Sequence, residues 1–192
     1  LKQQCVAQLA QTYGKQLIVD NAQAFFASPI EGIDSFYSAR KFFGVADGAY
    51  LYTDKLLDIE LEYDQSFERM SHLLIRADVG AEDGYAEFRK NDDALCGEPI
   101  KKMSKLTEKI LCSIDYDACK AARRNNYMEY ENALKERNDL LIHLDENAIP
   151  MVYPLVTADY SIRKKLQGRR IFTATYWSNV LEWTKSTDFE YR

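Results

Sequence analysis

Three side chains with complementary chemistry stand in order near the start of this 192-residue chain: Asp20, Gln23 and Lys41. Asp20 closes the apolar run Leu17-Ile18-Val19. Lys41 ends a Ser-x-x-Lys segment that begins at Ser38 and precedes Asp47-Gly48-Ala49. A primary amine forms a Schiff base with an aldehyde. A carboxylate facing the nitrogen of an aromatic ring keeps that nitrogen protonated and makes the ring an electron sink. An acid at a strand end and an amine in a loop 21 positions later can reach opposite edges of one flat ring. That pair suits pyridoxal 5'-phosphate. Ser38, three before the lysine, is placed to donate a hydrogen bond to a phosphate oxygen.

The elements around these residues follow from local pattern. Residues 2–13 space Cys5, Leu9 and Tyr13 four apart with Val6 beside them, which predicts a short amphipathic helix ended by Gly14. The run 17–19 reads as a buried parallel strand with Asp20 at its carboxyl end, the end at which open α/β sheets bind ligands. Residues 21–35 lack periodicity and hold Pro29 and Gly32, so a loop is expected. Two more strands are predicted, Ile33 to Tyr37 and Ala49 to Tyr52, with Asp47-Gly48 as the turn before the second.

From about residue 64 to 141 the reading is mainly helical. The stretch from Asp115 to Leu141 lacks Gly and Pro and predicts one long, well-solvated helix of the kind that joins two lobes. Beyond Pro150 the pattern changes to strand (Met151 to Val156), helix (Asp159 to Gln167, ended by Gly168) and strand (Arg170 to Tyr176).

Composition excludes several classes. Hydrophobic residues at 46% and charged residues at 29% describe a globular mix. Thirty acids against 25 bases give a net charge of −5, with no basic field for nucleic acid or anionic lipid. No apolar run approaches the roughly 20 residues that span a bilayer, and no secretory signal opens the chain. Cys5, Cys96, Cys112 and Cys119 are far apart, and only His72 and His143 could join them. Free thiols in a reducing cytoplasm are therefore expected, and no metal site. His72, on an apolar helical stripe, is expected to be a buried, hydrogen-bonded histidine. Arg123-Arg124 and Arg169-Arg170 are read as solvated, and Tyr176, Trp177 and Trp183 as core.

The words LIVDNAQAFF and SFYSARKFFGVADGAYLYTD resemble fold-type I pyridoxal-phosphate enzymes, more narrowly the DegT/DnrJ/EryC1/StrS aminotransferases. In that family a strand ends in Asp, Gln follows at the third position, and a Ser-Phe segment leads to the Schiff-base lysine and a Gly-rich turn. The resemblance implies that Asp20 pairs with the pyridine nitrogen, Gln23 lies against the ring and Lys41 holds the cofactor and shuttles protons. It implies an aspartate aminotransferase-like α/β fold, with residues 1–112 as the second half of the large cofactor-binding domain. Residues 113–192 would be the connector helix and an incomplete small domain. The implied activity is amino transfer to a nucleotide-linked keto-sugar or similar carbonyl, with glutamate as a possible donor, in a cytoplasmic homodimer.

One departure stands out. The family commonly has Ser-Phe-His-Pro-Thr-Lys, whereas here Ser35-Phe36 stands five before Arg40. An ungapped register through Asp47-Gly48 puts Arg40 at the lysine position, and a guanidinium forms no Schiff base. Lys41 alone nearby has the required chemistry. The competing expectation is a silent homologue that kept the fold as a binding or structural protein. The chain is read as part of a longer protein, since it starts at Leu1 inside an expected helix.

Overall fold

The structure, a computed structural model, describes residues 3–140, 142–159, 161–176 and 178–188. Helix α1 (Gln3–Tyr13) stops at Gly14, which adopts φ +51 and opens a 3-10 turn over Gly14–Gln16. Strand β1 (Ile18–Asp20) follows, then a loop, then β2 (Asp34–Ser38). β2 begins one residue later than the pattern predicts. β1 and β2 pair in parallel, with Ile18 opposite Asp34, Val19 opposite Ser35 and Asp20 opposite Phe36. Strand β3 (Ala49–Tyr52) pairs antiparallel with β2, so the sheet order is β1-β2-β3. The architecture is mixed α/β.

The period-2 pleat sorts this small sheet into two faces. Val19, Ser35 and Tyr37 are buried on one. On the other, Ile18 is 64% exposed and Leu51 52% exposed, with Phe36 between them. β1 is thus not the wholly buried strand that its apolar run suggests, because its second face has no covering layer among the described residues.

The β2–β3 connection is the most tightly held part of the molecule. Ala39, fully buried, opens a 3-10 turn over Ala39–Lys41 and donates its N–H to the Gly48 carbonyl at 3.1 Å. Ala39, Val45 and Leu111 form a buried apolar cluster. Gly48 has φ +106, and a Cβ there would lie 2.9 Å from Thr107 Cγ2. Both conformation and space therefore require glycine.

Helices α2 (Ser71–Asp78), α3 (Tyr85–Ala94), α4 (Lys105–Cys112) and α5 (Tyr116–Leu134) follow. Two have side-chain caps. Ser104 accepts the Thr107 N–H at 3.1 Å and Asp115 accepts the Ala118 N–H at 2.9 Å, each interaction worth about 1 kcal/mol. α5 ends at Leu134, short of the expected Leu141, and is not solvated all round. Tyr116, Lys120, Arg123 and Tyr127 recur at steps of four and three on one side, and each meets an aromatic ring.

The described residues fall into two compact units. One comprises Leu1–Lys135 with Ile142–Tyr153, the other Glu136–Leu141 with Pro154–Arg192. The second holds helices α6 (Ile162–Gln167) and α7 (Val180–Trp183). The strands expected over Met151 to Val156 and Arg170 to Tyr176 do not form. Asn138 takes the place of a ladder for the first: its Oδ1 accepts the Val156 N–H at 3.0 Å and its amide donates to the Pro154 carbonyl at 2.9 Å. After α6, Gly168 stays right-handed and Arg170 takes the left-handed turn at φ 60. Trp183 is 74% exposed and Tyr176 39% exposed, so these two are not core; Trp177 lies outside the described residues.

Candidate functional site

Because β1 and β2 run in the same direction, both end at one edge of the sheet. The Asn21 N–H donates to the Phe36 carbonyl at 2.8 Å and carries the ladder one step past Asp20. Asp20 is exposed, and its Oδ1 accepts the Ala22 N–H at 2.8 Å in a tight local turn. Gln23 is exposed on the loop that follows. Past the end of β2, Lys41 is exposed in the 3-10 turn, and its amine makes no hydrogen bond or ion pair among the described residues. Asp20, Gln23 and Lys41 thus belong to two segments that leave the same sheet edge.

Aromatic packing fastens those segments together. Phe25, two residues after Gln23, has its ring centroid 5.7 Å from Phe42 and 4.9 Å from Phe43, the two residues after Lys41. Phe26 adds edge contacts to the same pair at 5.8 and 6.0 Å. Tyr116 of α5 stacks on Phe25 at 6.2 Å and meets Phe43 edge-on at 5.4 Å. Each such pair contributes about 0.5–1.5 kcal/mol beyond its buried area. Lys120 and Arg123 place their cations over the rings of Phe26 and Phe42, at 5.9 and 4.6 Å. Burial pushes the Tyr37, Tyr50 and Tyr116 hydroxyls above their ordinary pKa.

Ser38 belongs to a different space. It lines a cavity of about 330 Å³ together with Arg40, Asp47, Arg69, Lys101 and Met103, among others. Asp20, Gln23 and Lys41 do not line it. Arg40 pairs with Asp92 at 2.8 Å, while its Nη1 is buried without a partner.

Sequence reasoning missed the polar network beside this cavity. Asp47, 9% exposed, accepts from Arg69 Nη2 at 2.5 Å and Nε at 3.2 Å, and from the Thr107 hydroxyl at 2.7 Å. Arg69 also pairs with Asp64. Ser66, buried, shares a hydrogen bond with Ser104 at 2.5 Å. Burial works against the Arg69 charge, but the hydrogen bonds to Asp47 and Asp64 outweigh it and hold the guanidinium protonated more firmly than usual. The local signal at Asp47-Gly48 was that of a turn alone. Its partners come from two other segments, around Arg69 and around Thr107, which no short window contains.

Arg123 and Arg124 are not solvated: Arg123 donates to the carbonyls of Phe42 and Met151, Arg124 to those of Asp145 and Ala148. His72 is 5% exposed, as expected, but its Nδ1 has no partner. The four cysteines are free thiols. Among the described residues, no cluster of three or more His, Cys, Asp or Glu could hold a metal ion, and no helix is long and apolar enough to cross a membrane.

The sheet edge carries the residue types expected to meet pyridoxal phosphate, Asp20, Gln23 and Lys41, all exposed. Ser38, the expected phosphate contact, instead lines the neighbouring cavity with Arg40. Comparison of the chain with protein-family models, curated proteins and solved structures finds no match.

Proposed function

We propose that the intact protein is a pyridoxal-phosphate-dependent aminotransferase of the fold-type I class, acting on a keto-sugar or similar carbonyl substrate. The observation that carries this reading is the aromatic clamp of Phe25 and Phe26 on Phe42 and Phe43. It ties the segment of Asp20 and Gln23 to the segment of Lys41, at the edge where two parallel strands end. When bound, the cofactor would supply an electron sink for breaking a bond next to the amine. Asp20 would hold a proton at the ring nitrogen, Gln23 would cover a ring face, and Lys41 would bind the aldehyde and move protons. Amino donor, acceptor and a homodimeric partner follow from the resemblance of sequence alone.

One observation favours a second reading. Arg40 stands five after Ser35, where the resembling family has its lysine, and it is committed to Asp92. A chain whose true lysine position holds an ion-paired arginine would be a silent homologue that binds or scaffolds.

Titration with pyridoxal phosphate separates the two. The aminotransferase reading expects a new visible absorbance band that saturates at one equivalent and is absent from Lys41→Ala. A silent homologue gives no saturable band, or one that Lys41→Ala leaves in place.

A further inference from the structure

Arg123 is a cation with no carboxylate partner among the described residues. Half-buried on α5, it spends its donors on two backbone carbonyls instead. Nη2 donates to Phe42 O at 3.1 Å and Nη1 to Met151 O at 3.2 Å. Its guanidinium carbon also lies 4.6 Å from the centroid of the Phe42 ring. Burial works against its charge and lowers its pKa. A guanidinium in such a place is retained where its planar fork and its stacking do something a lysine cannot.

Phe42 directly follows Lys41. Arg123 holds both the carbonyl and the ring of Phe42. Other restraints act on the same turn: the N–H groups of Phe42 and Phe43 both donate to the Ala39 carbonyl at 3.0 Å, Ala39 is fully buried, and Arg40 pairs with Asp92. Among the described residues, Lys41 itself makes no hydrogen bond or ion pair. The backbone on either side of Lys41 is what holds it, and Phe42 is the neighbour that Arg123 grips.

We propose that Arg123 is a positioning residue for Lys41, fixing the turn that presents the free amine by gripping the Phe42 carbonyl and ring together. The proposal rests on the reading of Lys41 as the cofactor amine, and it deepens that reading by naming what aims the amine. Lysine at position 123 would keep a charge near the ring but could not bridge two carbonyls in one plane. Glutamine would keep a donor and lose the cation.

The test uses the full chain as wild type, Arg123→Gln and Arg123→Lys, with two readouts. The first is hydrogen exchange at the amides of Phe42 and Phe43. Loss of a hydrogen bond from a charged donor is expected to speed their exchange roughly tenfold or more in Arg123→Gln, with α4 and the other end of α5 unchanged. The second is the amount of pyridoxal phosphate trapped on Lys41 by borohydride, read by peptide mass as a function of pH. Capture at Lys41 should fall in Arg123→Gln, shift its pH midpoint, and recover in part in Arg123→Lys. Equal exchange and equal capture in wild type and Arg123→Gln overturn the positioning role while leaving the cofactor reading standing. Wild type that captures nothing at Lys41 overturns the cofactor reading, and the role of Arg123 with it. Exchange that rises throughout the chain marks a general loss of fold and also counts against a local positioning role.

Discussion

The two ends of the β2–β3 connection solve opposite problems. At one, Lys41 is exposed, as are Asp20 and Gln23 on the segment after β1, and the amine has no partner among the described residues. At the other, only six residues on from Lys41, Asp47 is buried and saturated by Arg69 and Thr107. The same turn thus presents one charged group to solvent and anchors itself with another. On the proposed function, Lys41 is the group that reacts, and it is left without partners among the described residues. A group that must hold is surrounded by them, because a buried carboxylate without donors would cost several kcal/mol. The lesson is that a buried charge saturated with partners, such as Asp47, is a poor candidate for chemistry and a good candidate for stability.

The comparison breaks most readily at Asp47. Asp47→Ala leaves Arg69 with one carboxylate in place of two and removes the acceptor of Thr107. It should cost about 3–5 kcal/mol in urea unfolding, the range for breaking a buried pair. A loss under about 1 kcal/mol would show that the network is not the anchor described here.

Phe25→Ala removes the ring that touches Phe42, Phe43 and Tyr116. Phe25 is half-buried, so a loss of about 2–3 kcal/mol is expected, below the range for a fully buried phenylalanine. The same variant should also loosen the Lys41 turn, read as faster exchange of the Phe42 amide.

Alkaline pH gives a smaller effect with a definite sign. Burial raises the pKa of Tyr37, Tyr50 and Tyr116 above the ordinary tyrosine value of 10.0. The folded state therefore keeps protons that the unfolded chain releases. Their contribution is fully present below pH 10 and is lost as pH rises through the raised values. The urea midpoint should be level up to about pH 9.5 and fall above it. Tyr50→Phe should reduce that fall, and a midpoint that rises with pH would contradict the assignment.

Smallest of all is the effect expected from Lys41→Ala on stability. An exposed amine with no partner should change the unfolding free energy by no more than about 0.5 kcal/mol in either direction. A larger loss would mean that Lys41 is structural, like Asp47, and the contrast between the two ends of the connection would disappear.

Local pattern made the first part of the fold legible. Three apolar residues ending in Asp20 gave β1, Asp47-Gly48 gave the turn before β3, and the spacing of Cys5, Leu9 and Tyr13 gave α1. Each of these signals lies within a dozen residues. The strands expected over Met151 to Val156 and Arg170 to Tyr176 failed because a strand needs a partner, and Asn138 satisfied the Val156 N–H instead. The face of α5 that carries Tyr116, Lys120 and Arg123 was hidden for a related reason. Lysine and arginine count as solvated in any periodic reading, yet both can lay a cation on an aromatic ring. The Asp47 network was illegible because its members are brought together from three segments far apart in sequence: Asp47, residues 64–69 and residues 104–107.

The most direct test is borohydride reduction of the full chain with pyridoxal phosphate below one equivalent, followed by peptide mapping. The account predicts one modified peptide, carrying Lys41, although other exposed lysines such as Lys15 compete for the reagent. Modification spread across surface lysines, or none at Lys41, would contradict it.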